Sequence, residues 1–273
     1  MSIENKEFLH GLQEYCNYKG SASEIEVKKV LDILYSDDLE QALIRYLLDA
    51  NNDPNTKYFR FIRDFIKQGK DLNILSDALS RSQMKSKIWL VKELQKINYN
   101  FDNIVLLAGW FGQLVELFGE GYMTFKKLRN IEIDRNACIE SDYNFNLDRL
   151  ENFKVKAVNA DINNLTLHTT GYEWEVENFK TGHTYTEKFM PDLIINTSSE
   201  HMEPIWYDQI RFKPWKNKPI VAIQSNNYFG LPEHINCMHS VNHMKKVYPM
   251  SEIYYAGELQ LKGYKRIMLI GKP

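Results

Sequence analysis

Two glycines, two acids and an amide-rich turn follow one another in an order suited to holding a small polar ligand. Gly109-Trp110-Phe111-Gly112 comes directly after a short apolar run at 104–108. Glycines there allow a tight turn and close approach of the backbone to a ligand. A helix starting near Gln113 would point its free N–H groups at the same place. Glu132 lies near the end of a second apolar run, 128–133. An acid there can accept both hydroxyls of a ribose, as in dinucleotide sites, and its neighbour Ile133 would flank the same ligand. Asp134 is placed to cap the next helix. A third run, 155–158, leads into Asn159-Ala160-Asp161-Ile162. Asp161 is positioned to accept from an adenine amino group, with Ile162 against the ring. Taken singly, each of these residues also reads as a turn, a cap or a loop acid. Their succession carries the reading.

A second group follows a fourth run, 192–196. Asn196 opens into Thr197-Ser198-Ser199-Glu200-His201-Met202. Glu200 or His201 has the chemistry of a general base, and Asn196 that of a group holding an amino or hydroxyl substituent. Ser198 is expected to contact the acceptor, and Ser198 or Ser199 to cap a helix over 200–209, with Glu200 in its favourable first turn. After a fifth run, 220–223, the stretch 224–230 is rich in amides and aromatics. Asn227 and Tyr228 there suit a planar or polar substrate. Glu233, His234, His239 and His243 invite a metal reading, since the last two share a helical face. Nothing resembles HExxH, however, and no metal site is expected.

These residues need elements to position them. Short, uniformly apolar runs alternating with helical patterns at 114–118 and 135–150 predict βαβ units and a mostly parallel sheet. Runs at 252–259 and 264–270 are joined by a few residues around Gly263, too few for a parallel crossover, so they form an antiparallel hairpin. Alternation on either side of Gly182, over 173–177 and 184–189, predicts another hairpin. Before residue 97 the periodicity is helical throughout, with helices expected at 8–16, 25–34, 38–47, 58–67 and 72–97. The expected organisation is an all-helical N-terminal domain, 1–97, followed by an α/β domain, 98–273.

Residues 109–112, Ile131-Glu132-Ile133-Asp134 and 159–162 resemble, in order, the first three motifs of class I S-adenosylmethionine (SAM) dependent methyltransferases. The closing hairpin also resembles that fold, a mostly parallel seven-stranded sheet ending in an antiparallel hairpin. The resemblance implies that SAM is the cofactor. Glu132 would take its ribose, Asp161 and Ile162 its adenine, and the backbone of Gly109 to Gly112 its amino-acid end. It implies methyl transfer to N or O of an acceptor. Two alternatives share the fold: transfer of SAM's aminobutanoyl group, as in nicotianamine-type synthases, and an inactive binding or assembly module. The stretch 80–90 is faintly similar to the start of ribose-methylating RNA methyltransferases. That likeness places Gln83 and Lys87 near SAM's carboxylate or the substrate.

Composition bounds the partners. The 273 residues are 44% hydrophobic and 26% charged, ordinary for a globular protein. A formal charge of −2 gives no general attraction to phosphate backbones or anionic membranes. A nucleic-acid acceptor therefore needs a local basic surface, for which Lys57, Arg60, Arg63, Lys67 and Lys70 qualify, while a small-molecule acceptor needs none. Three scattered cysteines form no CxxC pair, which argues against a disulfide framework. No secretory leader or membrane span is visible, and a cytoplasmic location is expected.

Overall fold

The computed structural model describes residues 80–97, 99–118, 123–146 and 154–273, together with His10 and Glu14. The helices expected before residue 72 and the basic surface at 57–70 lie outside the described residues. The chain divides into two compact units, Met1–Trp89 and Leu90–Pro273. Helix α1 (Arg81–Lys96) spans the division, and its stripe of Met84, Ile88, Val91 and Leu94 is buried.

The larger unit is built on a seven-stranded sheet. Strands β1 (Asn103–Leu107), β2 (Lys127–Glu132) and β3 (Val155–Asn159) pair in parallel, with β1 inside and β3 at the edge. Helices α2 (Gln113–Phe118) and α3 (Arg135–Asn146) follow the first two strands. The Asp134 carboxylate caps α3, accepting from the backbone N–H of Asn136 and Ala137.

Between β3 and the return to the sheet, the expected hairpin is part of a separate three-stranded sheet. It comprises β4 (Thr166–His168), β5 (Gly171–Glu177) and β6 (Thr184–Phe189), all antiparallel. Strand β7 (Leu193–Asn196) then pairs with the free side of β1, and β8 (Ile220–Asn226) pairs with β7, both in parallel. Asp192 accepts from the N–H groups of Asp102 and Asn103, tying the starts of β1 and β7 together. Helix α4 (Ile205–Phe212) lies between β7 and β8 in the chain, and α5 (Val241–Val247) follows β8.

The last two strands, β9 (Glu252–Gln260) and β10 (Lys265–Lys272), form the expected antiparallel hairpin, with β10 inserted between β8 and β9. The full order is β3-β2-β1-β7-β8-β10-β9. Strand order reverses at β1 and β7, which places a ligand crevice beyond their carboxyl ends.

Two expectations change. The helix predicted over 200–209 is a short 3-10 turn, Ser199–His201, followed by α4. Neither serine caps it in the expected way: Ser198 makes no side-chain cap bond, and Pro204 begins α4. Proline at a helix start is favourable, whereas inside a helix it would break it. His239 precedes Ser240, the N-cap of α5, so it does not share a helical face with His243.

One apolar core joins sheet and small sheet. Val105, Ile131, Ile194 and Val221 pack with Trp174, Phe189 and with Trp206 and Ile210 of α4. Beside it a buried charged pair joins the two sheets. The Arg129 guanidinium of β2 donates twice, at 2.7 Å, to the Glu187 carboxylate of β6, and it lies over the Phe189 ring. Burial acts to raise the Glu187 carboxyl, but the Arg129 bonds and charge outweigh it and hold the group below its ordinary 4.5. Because removing one partner of a buried pair leaves an uncompensated charge, Glu187→Ala should lower unfolding free energy by about 3 kcal/mol in urea titrations. A depressed carboxylate stabilises above its unfolded value, and that contribution is lost as pH falls through its folded value. The stability gap between wild type and Glu187→Gln should therefore be full near neutrality and shrink below pH 4.5.

Candidate functional site

The backbone departs from ordinary geometry on either side of Gly109. Ala108 and Trp110 have φ of 49° and 48°, in the left-handed region, and Gly112 has 72°. A non-glycine residue there costs of order 1–2 kcal/mol and needs outside support. Two side chains on one face of β2 supply it. Glu132 Oε2 accepts from the Trp110 N–H at 2.9 Å, and Asn130 Nδ2 donates to the Trp110 carbonyl at 2.9 Å. The other Glu132 oxygen accepts from the Asp134 N–H at 3.0 Å. One carboxylate thus fixes the loops after β1 and β2.

Gly109 serves a different need from the one the motif suggests. It requires no left-handed backbone; instead, a Cβ there would fall 2.2 Å from Asn130 Oδ1 and 2.5 Å from Leu106. Phe111 is buried with its ring stacked on Trp110.

Around this loop the carboxyl ends of the parallel strands enclose a cavity of about 510 Å³. Ala108 and Trp110 line it after β1, Glu132, Ile133 and Asp134 after β2, Asp161 and Ile162 after β3, and Ser198, His201 and Met202 after β7. The size suits a small-molecule or cofactor site. Ile133 is 69% exposed, an apolar side chain held at the rim with Ile162 near it. Asp161 accepts from the Asn163 N–H and from Asn164 Nδ2, which forms the turn presenting Ile162. Of the residues expected to hold a cofactor, Trp110, Glu132, Ile133, Asp161 and Ile162 meet at this cavity. Gly109, Phe111 and Gly112 build the loop behind it. Gln83 and Lys87 belong to the Met1–Trp89 unit, where Lys87 Nζ donates to Gln83 Oε1 at 3.0 Å.

The expected catalytic residues differ in exposure. His201 stands at the cavity wall, exposed. Asn196 is wholly buried and shapes the turn: its Oδ1 accepts from the Ser198 N–H at 2.9 Å and its Nδ2 donates to Met202 Sδ. Glu200 turns away into the protein. It is 2% exposed, and its Oε1 accepts from Arg266 Nη1 at 2.6 Å and from Asn226 Nδ2 at 2.8 Å. Of the two residues expected as general base, His201 is therefore exposed at the cavity and Glu200 is buried behind it. Ser198 lines the cavity, as expected of an acceptor contact. Asn227 instead bridges to β10, its Oδ1 accepting from the Lys265 N–H, and Tyr228 is an exposed ring beside His234 and Tyr264.

Asn130 and Arg266 escaped the sequence reading, and Asn236, noted only as part of an amide-rich stretch, has a specific place. Arg266 sits on β10, where only long-range pairing brings it to Glu200. Asn236 binds the Ser199–His201 turn to the loop after β8: its Nδ2 donates to the carbonyls of Ser199 and Met202 and to Tyr248 Oη. Its own N–H donates to the Glu200 carbonyl.

The order of the strands, with one antiparallel strand inserted next to the last parallel one, decides the architecture. The fold is that of class I SAM-dependent methyltransferases. No family model and no curated protein matches the chain. Solved structures of that fold do match. Magnesium protoporphyrin IX methyltransferase from Synechocystis PCC 6803 is 11% identical, covering 87% of this chain and 99% of its own at a TM-score of 0.48. A ribosomal protein L11 methylase from Lactobacillus delbrueckii subsp. bulgaricus is 9% identical, covering 71% and 80%, at 0.42. A sarcosine dimethylglycine methyltransferase-like protein from Galdieria sulphuraria is 11% identical at 0.38, covering 53% of this chain and 48% of its own, so the match spans about half of that protein.

Two outcomes test this geometry. Gly109→Ala overpacks the contact with Asn130 and Leu106 and should cost about 1–3 kcal/mol in unfolding free energy, measured by urea denaturation. Cys237 is buried beside the Glu200 carboxylate, and both push its thiol up to about 11. Its thiolate fraction at pH 8 is then about 100-fold below that of an ordinary thiol. Site-resolved mass spectrometry should find Cys237 alkylated at least that much more slowly in the native protein than in denaturant.

Proposed function

We propose that the cavity binds SAM and that the chain is a methyltransferase acting on N or O of an acceptor entering beside His201. The observation that carries this reading is Glu132. It is an acid at the carboxyl end of β2, next to the strand-order reversal, lining the cavity with each oxygen already oriented by one backbone N–H. The residues present fit the cofactor. Glu132 would accept from its ribose hydroxyls, Asp161 from its adenine amino group, and Ile133 and Ile162 would cover the two faces of the ring. The loop at residues 109–112 would hold the amino-acid end. When bound, SAM supplies an electrophilic methyl group on a sulfonium, transferable in one displacement. What the chain itself contributes is placement and exclusion of water: Trp110 and Met202 form apolar wall, and Ser198 and His201 offer polar contacts to the acceptor.

Calorimetry with SAM tests the cofactor assignment. Wild type should bind one equivalent. Glu132→Ala should weaken binding at least tenfold, because it removes two charge-assisted bonds and frees the left-handed loop. Asp161→Ala should weaken it several-fold. Wild type that does not bind, or Glu132→Ala that binds as well, would sink the assignment. Turnover should leave S-adenosylhomocysteine. Methylthioadenosine in its place would mean aminobutanoyl transfer.

A further inference from the structure

Two side chains that the methyl-transfer reading leaves unused, Glu200 and His234, converge with His201 on one point. Glu200, His201 and His234 each offer a ligand atom, and the three atoms lie within 4.8 Å of one another. The His201 and His234 rings meet edge to face at 4.7 Å between centroids. Three further observations set this cluster apart from a chance meeting of polar groups. Glu200 is nine-tenths or more buried, and while Oε1 is taken by Arg266 and Asn226, Oε2 has no hydrogen-bond partner. A buried carboxylate oxygen without a partner loses its hydration for nothing, which native proteins rarely tolerate. The His234 Nδ1 lies 2.7 Å from the Tyr228 carbonyl. A carbonyl only accepts, so Nδ1 carries the proton and Nε2 presents its lone pair, the arrangement metal-bound histidines show almost without exception. Finally, Asn236 fastens the Ser199–His201 turn to the His234 loop through three side-chain bonds and one backbone bond, holding both histidines in register.

We infer that Glu200, His201 and His234 hold a divalent first-row metal ion of the Zn²⁺ class. Two histidines and one carboxylate are a ligand set suited to such ions and leave at least one coordination position open. Ligands about 2.0–2.1 Å from a tetrahedral ion stand roughly 3.4 Å apart, so the cluster closes by about 1.4 Å at most on binding. His201 is exposed and His234 half-buried, and their side chains supply that movement while Glu200 stays anchored. Arg266 neutralises part of the Glu200 charge, which makes the site weaker than one lacking a neighbouring cation. His201 also lines the cavity, so the ion stands next to the cavity wall. The inference holds whether or not that cavity takes SAM.

The test uses the full chain, freed of metal by chelator and dialysis, without SAM. Titration with Co²⁺ should give visible d–d absorption that saturates at one equivalent and is abolished by Zn²⁺. Loss of an outer partner alone costs about 10–100-fold in metal affinity. His201→Ala and His234→Ala should therefore each weaken binding by about 100-fold or more, with unchanged circular dichroism. His239→Ala and His243→Ala should bind as wild type does. Glu200→Gln leaves Arg266 facing a neutral amide, so the two histidine variants, at sites less buried, decide the matter. Absence of a stoichiometric Co²⁺ spectrum would overturn the proposal. So would binding that survives unchanged in both His201→Ala and His234→Ala.

Discussion

The backbone of Trp110 is held from both sides by β2, and the cavity depends on that grip. Glu132 takes its N–H and Asn130 its carbonyl. Because the two residues are two apart on a strand, they necessarily share a face and arrive together. Neither can be exchanged independently. Without Glu132 the left-handed residue loses its N–H partner, and Asp134 loses the bond that starts the next loop. Without Asn130 the Trp110 carbonyl and Ser141 lose a common donor. Glu132 therefore has a mechanical task in the fold beside the ligand contact proposed for it. Its backbone bonds orient its carboxylate before any ligand arrives, so little reorganisation is left for binding to supply.

The parts of the fold visible in the sequence are those in which a local pattern carries the whole constraint. Strands buried on both faces must be apolar throughout, so Ile104 to Leu107 and Leu193 to Ile195 announce themselves. The few residues around Gly263 permit only an antiparallel return. Glu132 and Asp161 stood out because they come at or just after the carboxyl ends of apolar runs, and both prove to hold loops there. Hidden parts rest on contacts between residues far apart in the chain. Arg266 opens an otherwise apolar run and reads as a strand-end charge; only the insertion of β10 beside β8 brings it to Glu200. Spacing put His239 with His243, and those rings do meet at 5.3 Å, with the His239 N–H donating to His243 Nδ1; the pairing of His234 with His201 needed tertiary structure. The turn at Ser199–His201 followed from Pro204, a local signal outweighed in the reading by the serines before it. Gly109 shows a further limit. Its type was read correctly as necessary, but the need comes from Asn130 and Leu106, which the sequence does not place beside it.

Polar burial in this protein is concentrated where elements from different parts of the chain must agree. Arg129 with Glu187 locks the small sheet to the large one, and Arg266 with Glu200 locks the last hairpin to the turn after β7. Apolar contacts alone would tolerate sliding of one layer over another. A buried guanidinium paired with a carboxylate does not, because a shift that parts them leaves charge buried and unmatched. The two arginines thus fix alignment more than they add stability.

Strand β10 comes after every other strand in sequence yet sits inside the sheet, between β8 and β9. During synthesis on the ribosome, the parallel strands and the cavity loops emerge first, with the side of β8 that β10 will cover still bare. Until residues 265–272 are available, Glu200 has no arginine and β8 offers an open edge to any other strand. The nascent sheet is therefore open to mispairing until residues 265–272 emerge, and the order of translation alone delays the Glu200–Arg266 pair until then.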